Sequence, residues 1–225
     1  MQDRTSEWFV PKIGPRNFRI GVGMLFLPYT FIVTCFAVWG SLGGTFVLDR
    51  LVAICIIYFL AVGVSAHCLD AVGGKTKPWG TLPKRKILSI AIVSLGISFT
   101  IGLYYAFLDS PILFPIGIAE GFFLFAYNLE LFGGRFHNNI STVVSWGILP
   151  VFAGSAIQTN SISIETILLS IVSALVTYFL ITTSRRYKEL KRDKINSSKS
   201  KEIILKLITL GVAIGTFSFF ILRVI

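Results

Sequence analysis

The two histidines of the chain and the carboxylates near them are the residues best suited to chemistry. His67 lies three residues before Asp70, a spacing that puts both side chains on one face if the helix before them continues to Asp70. Glu130 and Asn128 precede His137 in a second polar segment. The paired imidazole and carboxylate could share a divalent ion, or the carboxylate could simply orient the ring. Two histidines with two carboxylates suit zinc, manganese or iron better than magnesium, which prefers oxygen ligands.

Basic side chains accompany both candidate segments. Lys75 and Lys77 follow the first segment, and Arg135 lies in the second, so these cations could neutralise a phosphate group. We therefore predict a metal site made by His67, Asp70, Glu130 and His137. Each of these polar residues also has an ordinary alternative, as a helix cap, a lipid headgroup contact or a solvated charge.

Long apolar segments must position these residues. Of 225 residues, 54% are hydrophobic and 14% charged, with a mean hydropathy of +0.76, whereas soluble domains carry roughly 25% charged residues. A membrane-spanning helix needs about 20 apolar residues. We predict an all-α membrane bundle with seven spans, of which the fourth and fifth are the shortest. The spans are residues 20–39, 46–66, 87–107, 112–127, 142–157, 162–183 and 203–222.

The distribution of charge orients these spans. With a cytoplasmic N-terminus, 19 of the 21 Lys and Arg residues fall on the inner side, and only Arg50 and Arg223 fall outside. We predict a multi-pass protein of the cell membrane with an outer C-terminus. Its parts are a tail (1–19) and one helical domain (20–225) with inner loops at 66–86, 128–141 and 184–202. Topology and anionic lipids account for the net charge of +10, without a nucleic-acid partner.

Glu120 falls in the middle of the fourth span. An ionisable group is costly at that depth and is usually functional. It could form a neutral hydrogen bond to a neighbouring helix, or it could act near a substrate or in proton transfer. We include it with Asp70 as a candidate catalytic residue.

The first inner loop carries a recognisable pattern, with Asp70 inside it and the tripeptide TLP at 81–83 behind it. This loop resembles the first acidic motif of the UbiA family of intramembrane prenyltransferases, in which an Asn-Asp-x-x-Asp-x-x-x-Asp pattern holds magnesium against a prenyl diphosphate. Asp70 stands at the middle acid of that motif. His67 replaces the first acid and Gly74 replaces the last.

The stretch from 125 to 163 extends the resemblance. Its sequence is FAYNLELFGGRFHNNISTVVSWGILPVFAGSAIQTNSIS. As in the family, a tyrosine (Tyr127) ends one helix, a basic loop follows, and the next helix ends in Gln158 and Thr159. The similarity covers about residues 16–183. It implies that Tyr127, Asn128 and Arg135 belong to the substrate site.

The resemblance implies an activity, which is transfer of a prenyl group from a prenyl diphosphate to a membrane-associated acceptor. Asp70 would hold magnesium, while Lys75, Lys77 and Arg135 would contact the diphosphate. A second interpretation is a non-catalytic isoprenoid-binding or scaffold protein, because the loop after the sixth span lacks the family's second acidic motif. A third is a transporter, which Glu120 favours, although no inverted repeat is evident in the sequence.

Overall fold

Apolar helices make up most of the chain that the computed structural model describes, which is residues 4–45, 47–73, 79–80, 82–195 and 197–224. We number the helices α1 to α7 in chain order. Within the described residues they are α1 (Arg16–Leu42), α2 (Leu48–Gly73), α3 (Lys84–Leu108), α4 (Leu113–Asn128), α5 (Asn139–Thr159), α6 (Ile164–Arg192) and α7 (Ser198–Val224). Short connections join them, so helices that follow one another in the chain run antiparallel.

The prediction of an all-helical membrane bundle is confirmed at this level. Six helices are long and apolar enough to span a membrane, all except α4. α4 has 16 residues and is about 24 Å long, which is short for a hydrocarbon core of about 30 Å. α5, which was also predicted to be short, has 21 residues and reaches spanning length. The count of seven spans therefore stays a prediction.

Two helices continue further than the hydropathy pattern indicates. α2 extends through His67 and Asp70 to Gly73, and α6 extends to Arg192. Buried side chains such as Leu69 on α2 continue the helical pattern of packing beyond the apolar run. Part of each predicted inner loop, 66–86 and 184–202, is therefore helix, and His67 and Asp70 are held on a rigid element.

The closest helix crossing in the bundle joins α1 to α5 through two glycines. A Cβ atom at Gly40 would lie 1.9 Å from the Val151 carbonyl oxygen, and one at Gly154 would lie 1.9 Å from that of Ala37. Only glycine allows the backbones to approach this closely, as small residues do in membrane helix packing. The Ser41 hydroxyl donates to the Gly154 carbonyl at 3.1 Å and adds a hydrogen bond across the crossing.

Residues 4–15, which we call the tail segment, fold back over one end of the bundle. The ring of Phe9 lies 4.9 Å from that of Phe26, measured between centroids. The Arg19 guanidinium donates to the carbonyl of Thr5 at 2.7 Å and to that of Pro11 at 2.8 Å. The predicted N-terminal tail is therefore packed against the helical domain over these residues, and α1 begins inside it at Arg16.

The tail segment defines the two ends of the molecule. We call the end that it covers the tail end and the opposite end the far end. At the far end, the backbone N–H of Val47 donates to the Gln158 side chain at 2.8 Å, and the Arg50 guanidinium donates to the Ile157 carbonyl at 2.7 Å. Arg223 also lies at the far end, where it contacts the Gly43 carbonyl. Which end faces the cytoplasm stays a prediction.

Candidate functional site

A cavity of about 190 Å³ lies between α2, α3, α4 and α5. Its wall is mostly aliphatic and aromatic, and residues from both ends of α4, Leu113 and Asn128, contribute to it. The cavity therefore follows α4 along most of its length, about 24 Å. A cavity of this depth and polarity suits an elongated apolar molecule better than a polar one.

Two of the helices around the cavity widen to π geometry beside it. The π-helical stretches are Phe59–Ala66 in α2 and Val143–Ile148 in α5. Such stretches are rare and occur frequently at functional sites. Ala66 and Trp146, one from each stretch, line the cavity. The sequence pattern gave no indication of either π-helical stretch.

Glu120 lies on the wall of this cavity. Its Oε1 accepts a hydrogen bond from the Tyr58 hydroxyl on α2 at 2.8 Å. The hydrogen bond to a neighbouring helix, one of the possibilities left open by the sequence, is therefore present, and the carboxyl also faces the cavity. The Glu120 carboxyl is the polar group nearest the middle of α4, seven residues from its start.

A group of charged residues gathers at the tail end, around Asp70. The carboxylate of Asp70 lies within Coulombic range of two cations, Arg4 of the tail segment and Lys188 of α6, and also of His137 and Glu130. We call these five residues the tail-end cluster. The structure thus brings three of the predicted metal ligands near one another and adds two basic groups that were not predicted.

His67 connects the tail-end cluster to the cavity. Its buried ring stacks on Phe26 at 4.6 Å and meets the edge of Trp146, a cavity residue, at 6.4 Å. The Arg4 guanidinium lies over the Phe26 ring, 5.5 Å from its centre. His67 Nδ1 lies 3.2 Å from the Gly63 carbonyl oxygen. The His67 ring therefore has the contacts of a packed core residue next to the cavity.

Backbone strain is concentrated at the tail end. Phe26 interrupts α1 with a left-handed conformation at φ 45°, and Phe132 has a φ of 56°. Such conformations cost about 1–3 kcal/mol for residues other than glycine and cluster at functional sites. Glu130, Asn160 and Lys194 also have positive φ, but each follows the end of a helix, where this is usual.

The other predicted substrate residues border the cavity at the tail end. Tyr127 lines it and stacks on the exposed His137 ring at 4.2 Å, while His137 Nδ1 lies 3.3 Å from the Tyr127 carbonyl. Asn128 also lines it, although its side chain donates to the Leu124 carbonyl of its own helix. Arg135 is exposed in the loop between α4 and α5. Lys75 and Lys77 lie outside the described residues.

The described residues do not fit a divalent metal ion. Among them, no three or more His, Cys, Asp and Glu side chains are grouped so that they could hold one. The prediction of a magnesium, zinc, manganese or iron site at His67, Asp70, Glu130 and His137 therefore gains no support. We derive no step of chemistry through a metal.

Arg4 and Lys188 were not among the predicted site residues. The sequence places Arg4 only among the inner-side charges, and Lys188 belongs to the run of charge at 185–194, for which a solvated surface and attraction of a phosphate-bearing ligand were both open. A signal was present for Lys188, because Ser184 and Tyr187 continue the buried face of α6 beyond the apolar run, and position 188 lies four residues after Ser184. No signal was present for Arg4, because its position depends on the fold of the tail segment.

Comparison of the chain with protein-family models, with curated proteins and with solved structures gives no match. The resemblance to the UbiA prenyltransferases therefore rests on the residues quoted above and stays a prediction.

Proposed function

We propose that this membrane protein binds an anionic lipid with a long apolar tail, and that a prenyl diphosphate is the ligand class. The tail would occupy the cavity between α2 and α5, and the phosphate would lie beside Arg4 and Lys188. This proposal rests on the continuity of the two regions through His67, whose ring contacts Phe26 beneath Arg4 and also contacts Trp146 of the cavity.

The cavity supports the tail part of the proposal. Its wall offers apolar contact along most of the length of α4, and few polar groups interrupt it. The surrounding bilayer is equally apolar, so shape decides whether a chain enters the cavity. Gly102 and Gly117 line the cavity, and a Cβ atom at either position would meet nothing within 4 Å. These glycines keep the space open.

The tail-end cluster supports the headgroup part. Arg4 and Lys188 are partly buried and both lie near the Asp70 carboxylate, and Lys188 is also near Glu7 and Arg185. A diphosphate brought to these cations would make charge-assisted hydrogen bonds, which are the stronger class. Partial burial would reduce screening by salt and favour such binding.

Prenyl transfer is the second candidate, and the position of Asp70 favours it. Asp70 corresponds to the middle acid of the UbiA motif and lies close to both proposed cations. A transferase needs the headgroup as leaving group and an acceptor within reach of the first carbon of the tail. A non-catalytic lipid-binding protein needs only a site for the headgroup and the tail, and no acceptor.

Binding of farnesyl diphosphate to the purified protein, measured by isothermal titration in detergent, tests the proposed function. Gly102→Leu fills the cavity and should abolish binding, whereas Gly96→Leu on the exposed side of α3 should not. Lys188→Met should weaken binding by about ten- to a hundredfold, which corresponds to a lost contact with a charged group. Arg186→Met on the same helix is the control. Equal affinity for all four variants would contradict the proposal.

The direction in which one further substitution changes the affinity separates lipid binding from prenyl transfer. Asp70→Asn removes a negative charge that faces the diphosphate, so it should strengthen binding if the lipid binds without metal. If binding requires added magnesium and Asp70→Asn abolishes it, prenyl transfer is favoured and a search for the acceptor is justified.

A further inference from the structure

The polar groups of the cavity wall are not equivalent. Ser98 donates its hydroxyl to the Ser94 carbonyl at 3.0 Å and approaches that of Ile57 at 3.2 Å, and Ser145 donates to the Ser141 carbonyl at 2.8 Å. Each of these hydroxyls thus bonds to backbone. Glu120 differs, because it is bound by a side chain of another helix and is the one carboxyl group among the described lining residues.

The depth of Glu120 separates it from the tail-end cluster. It lies eight residues before the end of α4, so its Cα is about 12 Å from that of Asn128 along the helix axis. Lipid offers no hydrogen-bond partner at this depth, and an intramembrane carboxyl is a candidate functional group for that reason. A headgroup bound at Arg4 and Lys188 would not reach it.

The hydrogen bond to Tyr58 determines what else the carboxyl can bind. The only polar hydrogen of the Tyr58 side chain is directed to Glu120 Oε1. A carboxyl group keeps acceptor capacity beyond this bond, and in its protonated form it also has one O–H donor. The matching ligand group is therefore one that can both donate and accept a hydrogen bond. A neutral hydroxyl is better suited than an ammonium group, because bringing a charge into the apolar cavity is costly.

We propose that Glu120, oriented by Tyr58, is a binding site for the hydroxyl group of an apolar molecule that occupies the middle of the cavity. This inference rests on the proposed function, since it requires that the cavity admit an apolar ligand. It adds the recognition of a hydroxyl-bearing molecule, distinct in position and chemistry from the anionic headgroup at the tail end.

The test compares two probes of equal chain length, 10-bromodecan-1-ol and its methyl ether, in protein reconstituted into nanodiscs. Bromine quenches tryptophan fluorescence at short range, and Trp146 lines the cavity, so the signal that Trp146→Phe removes reports occupancy. Both probes are titrated at equal measured mole fraction in the bilayer. In the wild type, the alcohol should bind about tenfold more tightly than the ether, the effect of one hydrogen bond.

Three substitutions complete the experiment. Glu120→Leu should remove the preference for the alcohol while the ether still binds, and Tyr58→Phe should retain it because the acceptor remains. Ser98→Ala is the matched control and should change nothing. Thermal unfolding of each variant checks that the fold is intact.

The possible failures are distinguishable. If alcohol and ether bind equally to the wild type and Gly102→Leu blocks both, hydroxyl recognition is wrong and the lipid-binding cavity stands. The same conclusion follows if Glu120→Leu keeps the preference, because Glu120 would then be only a helix–helix contact. If neither probe quenches Trp146, both this inference and the proposed function are wrong.

Discussion

The two ends of the bundle use charged and polar residues in different ways. At the far end, polar groups bond to one another or to backbone, and Arg50 alone contacts Ile157, Asp109 and the ring of Tyr105. At the tail end, Arg4 and Lys188 lie near the Asp70 carboxylate, Lys188 also lies near Glu7, and Arg4 lies over the ring of Phe26, whose backbone is left-handed. The far end has the character of a structural clamp, and the tail end has the character of a site.

This contrast indicates where mutation should affect stability and where it should affect ligand binding. Groups that complete each other's hydrogen bonds stabilise the fold, and removing one leaves its partner unsatisfied. Charges collected beside a cavity contribute less to the fold and more to recognition. Substitutions at the two ends should therefore separate loss of stability from loss of ligand affinity.

The largest effect should follow from breaking the α1–α5 crossing, which supports both ends. Gly154→Ala places a Cβ atom against the Ala37 carbonyl oxygen, so the backbones must separate. We expect a loss of about 3 kcal/mol or more in the free energy of unfolding, measured in detergent. Gly211→Ala, at an exposed site of α7 with open space, is the control and should not destabilise the protein. Equal stability of the two variants would show that the crossing is not tightly packed.

Removal of the clamp at the far end should reduce stability and leave binding unchanged. Arg50→Met removes the hydrogen bond to the Ile157 carbonyl and the ion pair with Asp109. We expect a loss of about 1–3 kcal/mol in thermal or denaturant unfolding. Affinity for farnesyl diphosphate should stay within about twofold of the wild type. A tenfold loss of affinity would contradict the separation of the two ends.

The opposite result is expected for the tail end. Lys188→Met should reduce affinity for the diphosphate and change the free energy of unfolding by less than about 1 kcal/mol, since its charge faces Asp70 without a short ion pair. Measurement of both quantities on the same preparation gives a direct comparison with Arg50→Met. Large destabilisation with unchanged affinity would mean that Lys188 stabilises the fold and does not bind the headgroup.

Acid should weaken the far end through Asp109. The hydrogen bonds from Arg50 and then Ser110 hold the pKa of the Asp109 carboxyl below its ordinary value. Because the folded pKa is the lower one, the stabilising contribution is complete above the ordinary carboxyl pKa of about 3.9 and is lost as pH falls through the folded pKa. The unfolding temperature should therefore decrease below about pH 4, and Asp109→Asn should remove that part of the decrease.

The smallest effect is expected at an exposed ion pair on α6. Arg186 Nη1 lies 3.1 Å from Glu189 Oε2, and both side chains are more than half exposed. Such pairs contribute little, so Arg186→Met should change the free energy of unfolding by less than about 0.5 kcal/mol. A larger change would mean that Arg186 also packs against the tail segment, as Lys191 does through its ion pair with Glu7 at 3.2 Å.

The sequence could predict the helices but not how their polar ends meet. Apolar runs and charge asymmetry are local properties, and they gave an all-helical bundle in which Arg50 and Arg223 lie apart from the tail segment. The spacing of His67 and Asp70 predicted a shared face only if the helix continued to Asp70, and the sequence placed both residues in the inner loop 66–86, whereas α2 continues through them. The partner of Glu120 could not be predicted, because Tyr58 lies on another helix and no local pattern connects the two.

The limits of prediction are clearest at the tail end. Arg4 reaches the site only because residues 4–15 fold back over α1, which no periodicity in the sequence indicates. The predicted metal site assumed that polar residues at one rim would converge. His67 instead packs between Phe26 and Trp146, and side-chain packing of this kind is a tertiary property.

Photoaffinity labelling shows directly whether the apolar tail of a prenyl diphosphate lies in the cavity. The reagent is a farnesyl diphosphate analogue with a diazirine on the terminal isoprene unit, and the labelled peptides are identified by mass spectrometry after crosslinking in nanodiscs. We predict labels on cavity residues of α3 and α4, such as Phe99 and Leu124, that an excess of unlabelled farnesyl diphosphate prevents. Labels confined to exposed apolar residues of α6 and α7, such as Leu175 and Ile214, would mean that the tail lies in the surrounding lipid and not in the cavity, which would overturn the proposed function.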